Sequence, residues 1–145
     1  MLDSQYETEM NQLRQDRREH LTMIQGAISR MSSNSFLTRG WAVTIFAGLY
    51  TLYATNGNDL LLVVIAGVVC IFWLMDSYYL GLERAYRDLF DTVRQSSATS
   101  VTFSMRVQMK NRWFKAIWSR TFMISYLPVL GITLGILVVR HLRII

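Results

Sequence analysis

"WLMDSYYLGLERAYRDLF", residues 73–90, begins as the end of an oily run and finishes as an amphipathic helix. Leu60–Met75 carries no charge, Asp76 follows, and no Gly-Pro or Asn-Gly pair interrupts the chain beyond it. Tyr79, Leu82, Tyr86, Leu89 and Val93 continue at intervals of three and four, which puts them on one helix face. Glu83 and Arg87 form a favourable pair four residues apart. The stretch predicts one helix that leaves an apolar layer near Asp76 and keeps its winding to about Arg94, ending near Gln95-Ser96-Ser97. The part beyond the layer is roughly 20 residues, or ~30 Å at helical rise. That is more than anchoring needs, and its apolar face requires a cover.

Working outward, the chain has 145 residues, is 52% hydrophobic and contains a single proline. A soluble domain of this size has too little interior to hide so much apolar surface. Three stretches lack any charge: Gly40–Asn58, Leu60–Met75 and Thr121–Val139. Crossing a bilayer core of ~30 Å takes ~20 helical residues. The first and third, at 19 residues each, are long enough. The second, at 16, becomes so once Ser77–Leu82 extend it. The expected fold is an all-α membrane protein with three transmembrane helices. A cytoplasmic amphipathic helix precedes them, and the second span extends into a cytoplasmic stalk.

Basic residues set the expected orientation. Five precede the first run, eight lie between the second and third, none lies in Asn56–Asp59, and two, Arg140 and Arg143, follow the third. The positive-inside rule then puts the N-terminus and residues 77–120 in the cytoplasm and the C-terminus outside. Arg140 and Arg143 dissent, and are expected to snorkel to the far headgroups. A third segment that dips in and returns is the alternative. The net charge of +5 is explained by anionic headgroups beside the spans. No basic fold signature for DNA or RNA accompanies it, so no direct nucleic-acid contact is expected. Residues 1–35 show no secretory signal.

Residues 8–32 read as the amphipathic helix, with Leu13, Leu21, Ile24, Ile28 and Met31 on one face. Ser32-Ser33-Asn34-Ser35 reads as a break that caps the next helix. The expected units are therefore 1–35, a hairpin with its helical extension over 36–97, and an interfacial segment with the third span over 98–145. Inside span 1, Thr44, Gly48, Thr51 and Thr55 form one small, partly polar stripe. It serves either close helix contact or the lining of a water-filled path. Asn56-Gly57-Asn58-Asp59 is a tight turn by composition. Asp76 sits near the inner boundary, where it bonds Tyr79 or meets Arg39, or else contacts ions in gating. Residues 98–105 read as extended or loop. "NRWFKAIWSR" (111–120) mixes tryptophan with cations, as membrane interfaces do. Pro128 should kink span 3, and Gly131 and Gly135 form a GxxxG that permits close pairing. Leu21, Ile24, Ile28, Tyr79, Tyr86 and Leu89 are the expected cytoplasmic association set.

Catalytic chemistry is not written in the chain. His20 and His141 fall on opposite sides of the predicted membrane and cannot share a metal. Cys70 is the only cysteine, which excludes a disulfide framework. No HExxH, GxSxG, P-loop or dinucleotide fingerprint is present. The expectation is no enzyme, no cofactor and no metal.

"GAISRMSSNSFLTRGWAVTIFAGLY" followed by "FWLMDSYYLGLERAYRDLFDTVR" resembles small bacterial membrane proteins that accompany RNA-guided and deaminase-based anti-phage systems. It is also similar to the SLATT effector domains of nucleotide-signalling defence operons. The likeness covers about residues 20–140. SLATT domains have two spans, and the third span departs from that pattern. The resemblance implies a homo-oligomeric inner-membrane effector that forms or gates a pore, or perturbs the membrane, in phage defence. The alternative it implies is a non-conducting anchor that recruits a cytoplasmic defence protein.

Overall fold

The computed structural model describes residues 2–96, 103–109 and 116–144. Helices α1 (Leu2–Asn56), α2 (Asp59–Gln95), α3 (Arg120–Ser125) and α4 (Leu127–Ile144) account for nearly all of them, and no strand occurs among the described residues. The all-helical class expected from the periodicity is observed.

The continuous helix expected through residues 73–90 is observed: α2 runs without interruption from Asp59 to Gln95, straight through Asp76. It turns back from α1 at the predicted Asn-Gly corner. Gly57 adopts φ +62°, a left-handed conformation that glycine tolerates without a Cβ clash. Its N–H reaches Tyr53 O at 2.8 Å. Asn58 then caps α2, its side chain accepting the Leu60 N–H at 2.9 Å. At the far end of α2, Arg17 Nη2 donates to Arg94 O at 2.6 Å, a cation at the carbonyl end of the helix.

The expected break at residues 32–35 is corrected: α1 passes through it and is one helix of 55 residues. Serine and asparagine in a helix interior cost only about 0.5 kcal/mol each relative to alanine. The packing on either side outweighs that. Arg17, His20, Ile24, Ala27, Ser35, Thr38, Ala42 and Phe46 recur at helical spacing along the covered face of α1. Leu62, Ile65, Val69, Asp76, Gly81, Ala85 and Val93 are their buried counterparts on α2. Ile24 is wholly buried, and Leu21, Ile28, Tyr79, Tyr86 and Leu89 are half-buried. The N-terminal half of α1 is thus the cover that the apolar face of α2 requires.

Residues 103–109 are non-helical and bring Phe103 edge-on to the His20 ring, with centroids 5.5 Å apart. Residues 98–102, Trp113 and Phe114 lie outside the described residues. Trp73 Nε1 donates to Ile117 O at 3.1 Å and ties the approach to α3 onto α2. Between α3 and α4 the helix stops at Tyr126. Pro128 is the second residue of α4, where its missing N–H is not needed. The expected kink is therefore a clean interruption two residues earlier. α4 lays Val129, Leu130, Ile136 and Leu137 against a core of Ala42, Phe46, Leu62, Ile65, Val69 and Tyr126.

By length and composition, α2 is long and apolar enough to cross a membrane, and α4 holds a shorter apolar stretch, Leu127–Leu142. The uncharged part of α1 is diluted by threonine, tyrosine and glycine and does not reach that standard among the described residues.

Candidate functional site

The site is built from two layers of charge at the ends of the three packed, uncharged segments. At one end, Ser35 and Arg39 lie four residues apart on α1 and so share a face. Both meet Asp76, whose residue surface is only 3% exposed. Ser35 Oγ donates to Asp76 Oδ1. Arg39 Nε lies 3.5 Å from the same oxygen, and Arg39 Nη2 donates to Ser35 Oγ at 2.8 Å. Arg39 Nε also donates to Ser35 O at 3.3 Å. A buried carboxylate is costly unless paired and hydrogen-bonded, and here it has both. Of the partners expected for Asp76, Arg39 is the one the fold supplies. Tyr126, 1% exposed, lies beside this cluster, and its hydroxyl has no hydrogen-bond partner among the described residues. A cavity of about 160 Å³ opens between Arg39, Ala42 and Phe46 on α1 and Ser125, Tyr126 and Val129 on the α3–α4 side.

At the other end, Arg140 of α4 grips the hairpin turn. Its Nη1 donates to Gly57 O at 2.6 Å and to the Asp59 carboxylate, and its guanidinium lies 5.8 Å from the Tyr53 ring centroid. The hydrogen bond and charge of Asp59 raise the pKa of Arg140 further. This corrects the expectation that Arg140 reaches for headgroups: it is a staple joining α4 to the α1–α2 corner.

The two layers are separated by 17 residues on each of α1 (Arg39 to Asn56) and α2 (Asp59 to Asp76), or roughly 26 Å at helical rise. Nothing charged lies between them on any of the three segments. The outward surface there is apolar: Val43, Leu52, Val63, Ile71, Ile132, Leu134, Val138 and others are exposed. Inside, Phe46 and Phe72 meet edge to face at 6.2 Å. The Tyr50 hydroxyl bonds Thr133 Oγ1 at 2.6 Å, and Thr133 in turn donates to Val129 O at 2.7 Å.

The threonine stripe faces away from the bundle. Thr44, Thr51 and Thr55 are exposed and spend their hydroxyls on α1's own carbonyls, those of Gly40, Ala47 and Thr51. Gly48, Gly131 and Gly135 are likewise exposed, and a Cβ at any of them would meet nothing within 4 Å. The stripe and the GxxxG therefore hold no helix of this chain among the described residues. Sequence reasoning missed Ser35, which it assigned to a break, and Thr133, which lies between the two glycines but points inward. It also missed Tyr126. A signal existed for Ser35: it sits four residues before Arg39, the partner already named for Asp76.

No family model, curated protein or solved structure matches this chain.

Proposed function

We propose that the chain is a three-span bacterial inner-membrane protein that assembles with copies of itself and forms or gates an opening in the bilayer. One observation carries the membrane part: two charged layers, roughly 26 Å apart, bracket an uncharged slab with an apolar exterior. That spacing suits a hydrocarbon core of ~30 Å, and an exposed apolar surface this continuous needs a non-aqueous neighbour. Uncharged α1 fits as a span because Thr133 of α4 satisfies its Tyr50 hydroxyl, while the outward Thr44, Thr51 and Thr55 hydroxyls are satisfied by α1's own carbonyls. In this reading the N-terminus and the extension of α2 lie in the cytoplasm.

Self-association draws support from the outward stripes. Small residues let helices approach closely in lipid, and Thr44, Gly48, Thr51 and Thr55 on α1, with Gly131 and Gly135 on α4, are free to do so. Asp76 belongs to a latch between α1 and α2 rather than to a pore lining. A stimulus opens the assembly only by binding the open state more tightly than the closed one. The setting in phage defence comes from the sequence resemblance alone.

The test is ion flux through proteoliposomes of the purified protein, with its mass measured in nanodiscs. The expected result is a ring of defined stoichiometry whose leak changes in Thr51→Leu. A non-conducting monomer overturns the proposal and favours the second reading, an anchor for a cytoplasmic partner. One feature supports that reading: a cleft of about 850 Å³ between α1 and α2 beyond the Asp76 layer, lined by Gln25, Ile28, Phe36, Arg87, Phe90 and Asp91 among others.

A further inference from the structure

We infer that the end of the α1–α2 rod far from the hairpin turn holds a site for a soft monovalent metal ion, Cu(I), formed by His20, Met23 and Met105. The starting observation is His20. It is 4% exposed, yet neither ring nitrogen has a hydrogen-bond partner among the described residues. A buried polar group left unmatched costs about 1–3 kcal/mol, and each such case in a folded protein calls for a reason. A cavity of about 320 Å³ adjoins the ring, lined by Asp16, Glu19, His20, Met23, Phe103 and Met105. His20 and Met23 are three residues apart on α1 and therefore neighbours on its surface. Met105 arrives from the non-helical segment 103–109, and Phe103 beside it already touches the His20 ring.

The donor chemistry selects the ion. Thioethers favour Cu(I), and imidazole binds copper as well. A ring face such as that of Phe103 attracts a nearby cation. Asp16 and Glu19 put negative charge at the cavity, which offsets Arg17 on the same side of α1. Hard or borderline divalent ions are not served: among the described residues no three His, Cys, Asp or Glu side chains are placed to hold a metal. A bound ion would occupy the unmatched nitrogen and pin residues 103–109 to α1. The inference stands apart from the membrane reading, because it uses only contacts at the end of the helical pair.

The test uses the full chain in detergent with Cys70→Ala, so that the thiol does not compete. Ag(I), which is redox-inert, is titrated by calorimetry, and Cu(I) by competition with a chromogenic chelator. The expected result is one equivalent bound, with slower amide exchange over 103–109. Met23→Leu and Met105→Leu each weaken binding by about tenfold or more, and Met75→Leu, a thioether elsewhere, changes nothing. Met23 is 58% exposed, so its leucine variant keeps the fold. Absence of saturable binding overturns the site, as does binding that survives both leucine changes together or Zn(II) binding as tight as Ag(I).

Discussion

At the scale of single residues, Asp76 decides most. Its carboxylate is buried, and it keeps its charge company through Ser35 Oγ and the Arg39 guanidinium. Removing one partner from a fully buried pair costs about 3–5 kcal/mol, because the other charge is stranded. The Arg39 side chain is 37% exposed, so water moderates the loss, and Arg39→Leu is expected to destabilise by about 2 kcal/mol. Ser35→Ala removes a hydrogen bond to a charged group and should cost a comparable 1.5–3 kcal/mol, roughly. The double variant Arg39→Leu, Asp76→Leu should recover much of the single loss, since well-packed apolar residues replace buried pairs at little cost. Equilibrium unfolding in detergent, followed by helical circular dichroism, measures all three. With Asp76→Leu measured alone as well, a double variant that loses as much as the two single changes added together would show that the pair is not a coupled latch. Asp76 and Arg39 were legible in the sequence as a lone carboxylate and a facing cation. Ser35 was not, because serine-rich composition points locally to a break and its partner lies 41 residues away.

At the scale of elements, local propensity and tertiary packing disagree once, at residues 32–35, and packing wins. Four weak helix formers cost roughly 2 kcal/mol together, against seam residues that each bring 1.5–3 kcal/mol when large and fully buried, roughly. Two proline experiments follow from opposite logic. Ser33 is exposed in mid-helix, so a linker would accept Ser33→Pro and a continuous helix would not. The expected cost is about 3 kcal/mol or more, read as a lower thermal midpoint and reduced helical signal. Pro128, in the first turn of α4, should be replaceable: Pro128→Ala is expected to change stability by less than about 1 kcal/mol. A neutral Ser33→Pro would restore the two-unit reading of α1. The continuation of α2 to Gln95 and the Asn-Gly corner were both legible, because helical periodicity and turn chemistry are local signals. The facing of the glycines in α4 was not, because GxxxG shows that two residues share a side without showing which way that side points.

At the scale of the molecule, the question is what surrounds the uncharged slab, and a surface lysine can ask it. Val63 is 57% exposed and sits on α2 within the slab, four residues from Asp59 on the helix axis. Gln25 is exposed on α1 in the part packed along the extension of α2. In a protein surrounded by water, Val63→Lys and Gln25→Lys are both exposed changes and fall within about 0.5 kcal/mol of neutral. In the proposed bilayer they differ. A lysine facing lipid costs about 2.5–3.5 kcal/mol at the centre of a helical span and less near a boundary, where its stem snorkels. Ile71, also exposed, lies twelve residues along from Asp59 and closer to the middle. Ile71→Lys should therefore impair insertion most, Val63→Lys less, and Gln25→Lys not at all. Carbonate-resistant membrane fractions from cells expressing each variant give the order directly. If all three variants partition alike, the slab is not facing lipid, and the roughly 26 Å spacing of its charged layers is a feature of packing in water.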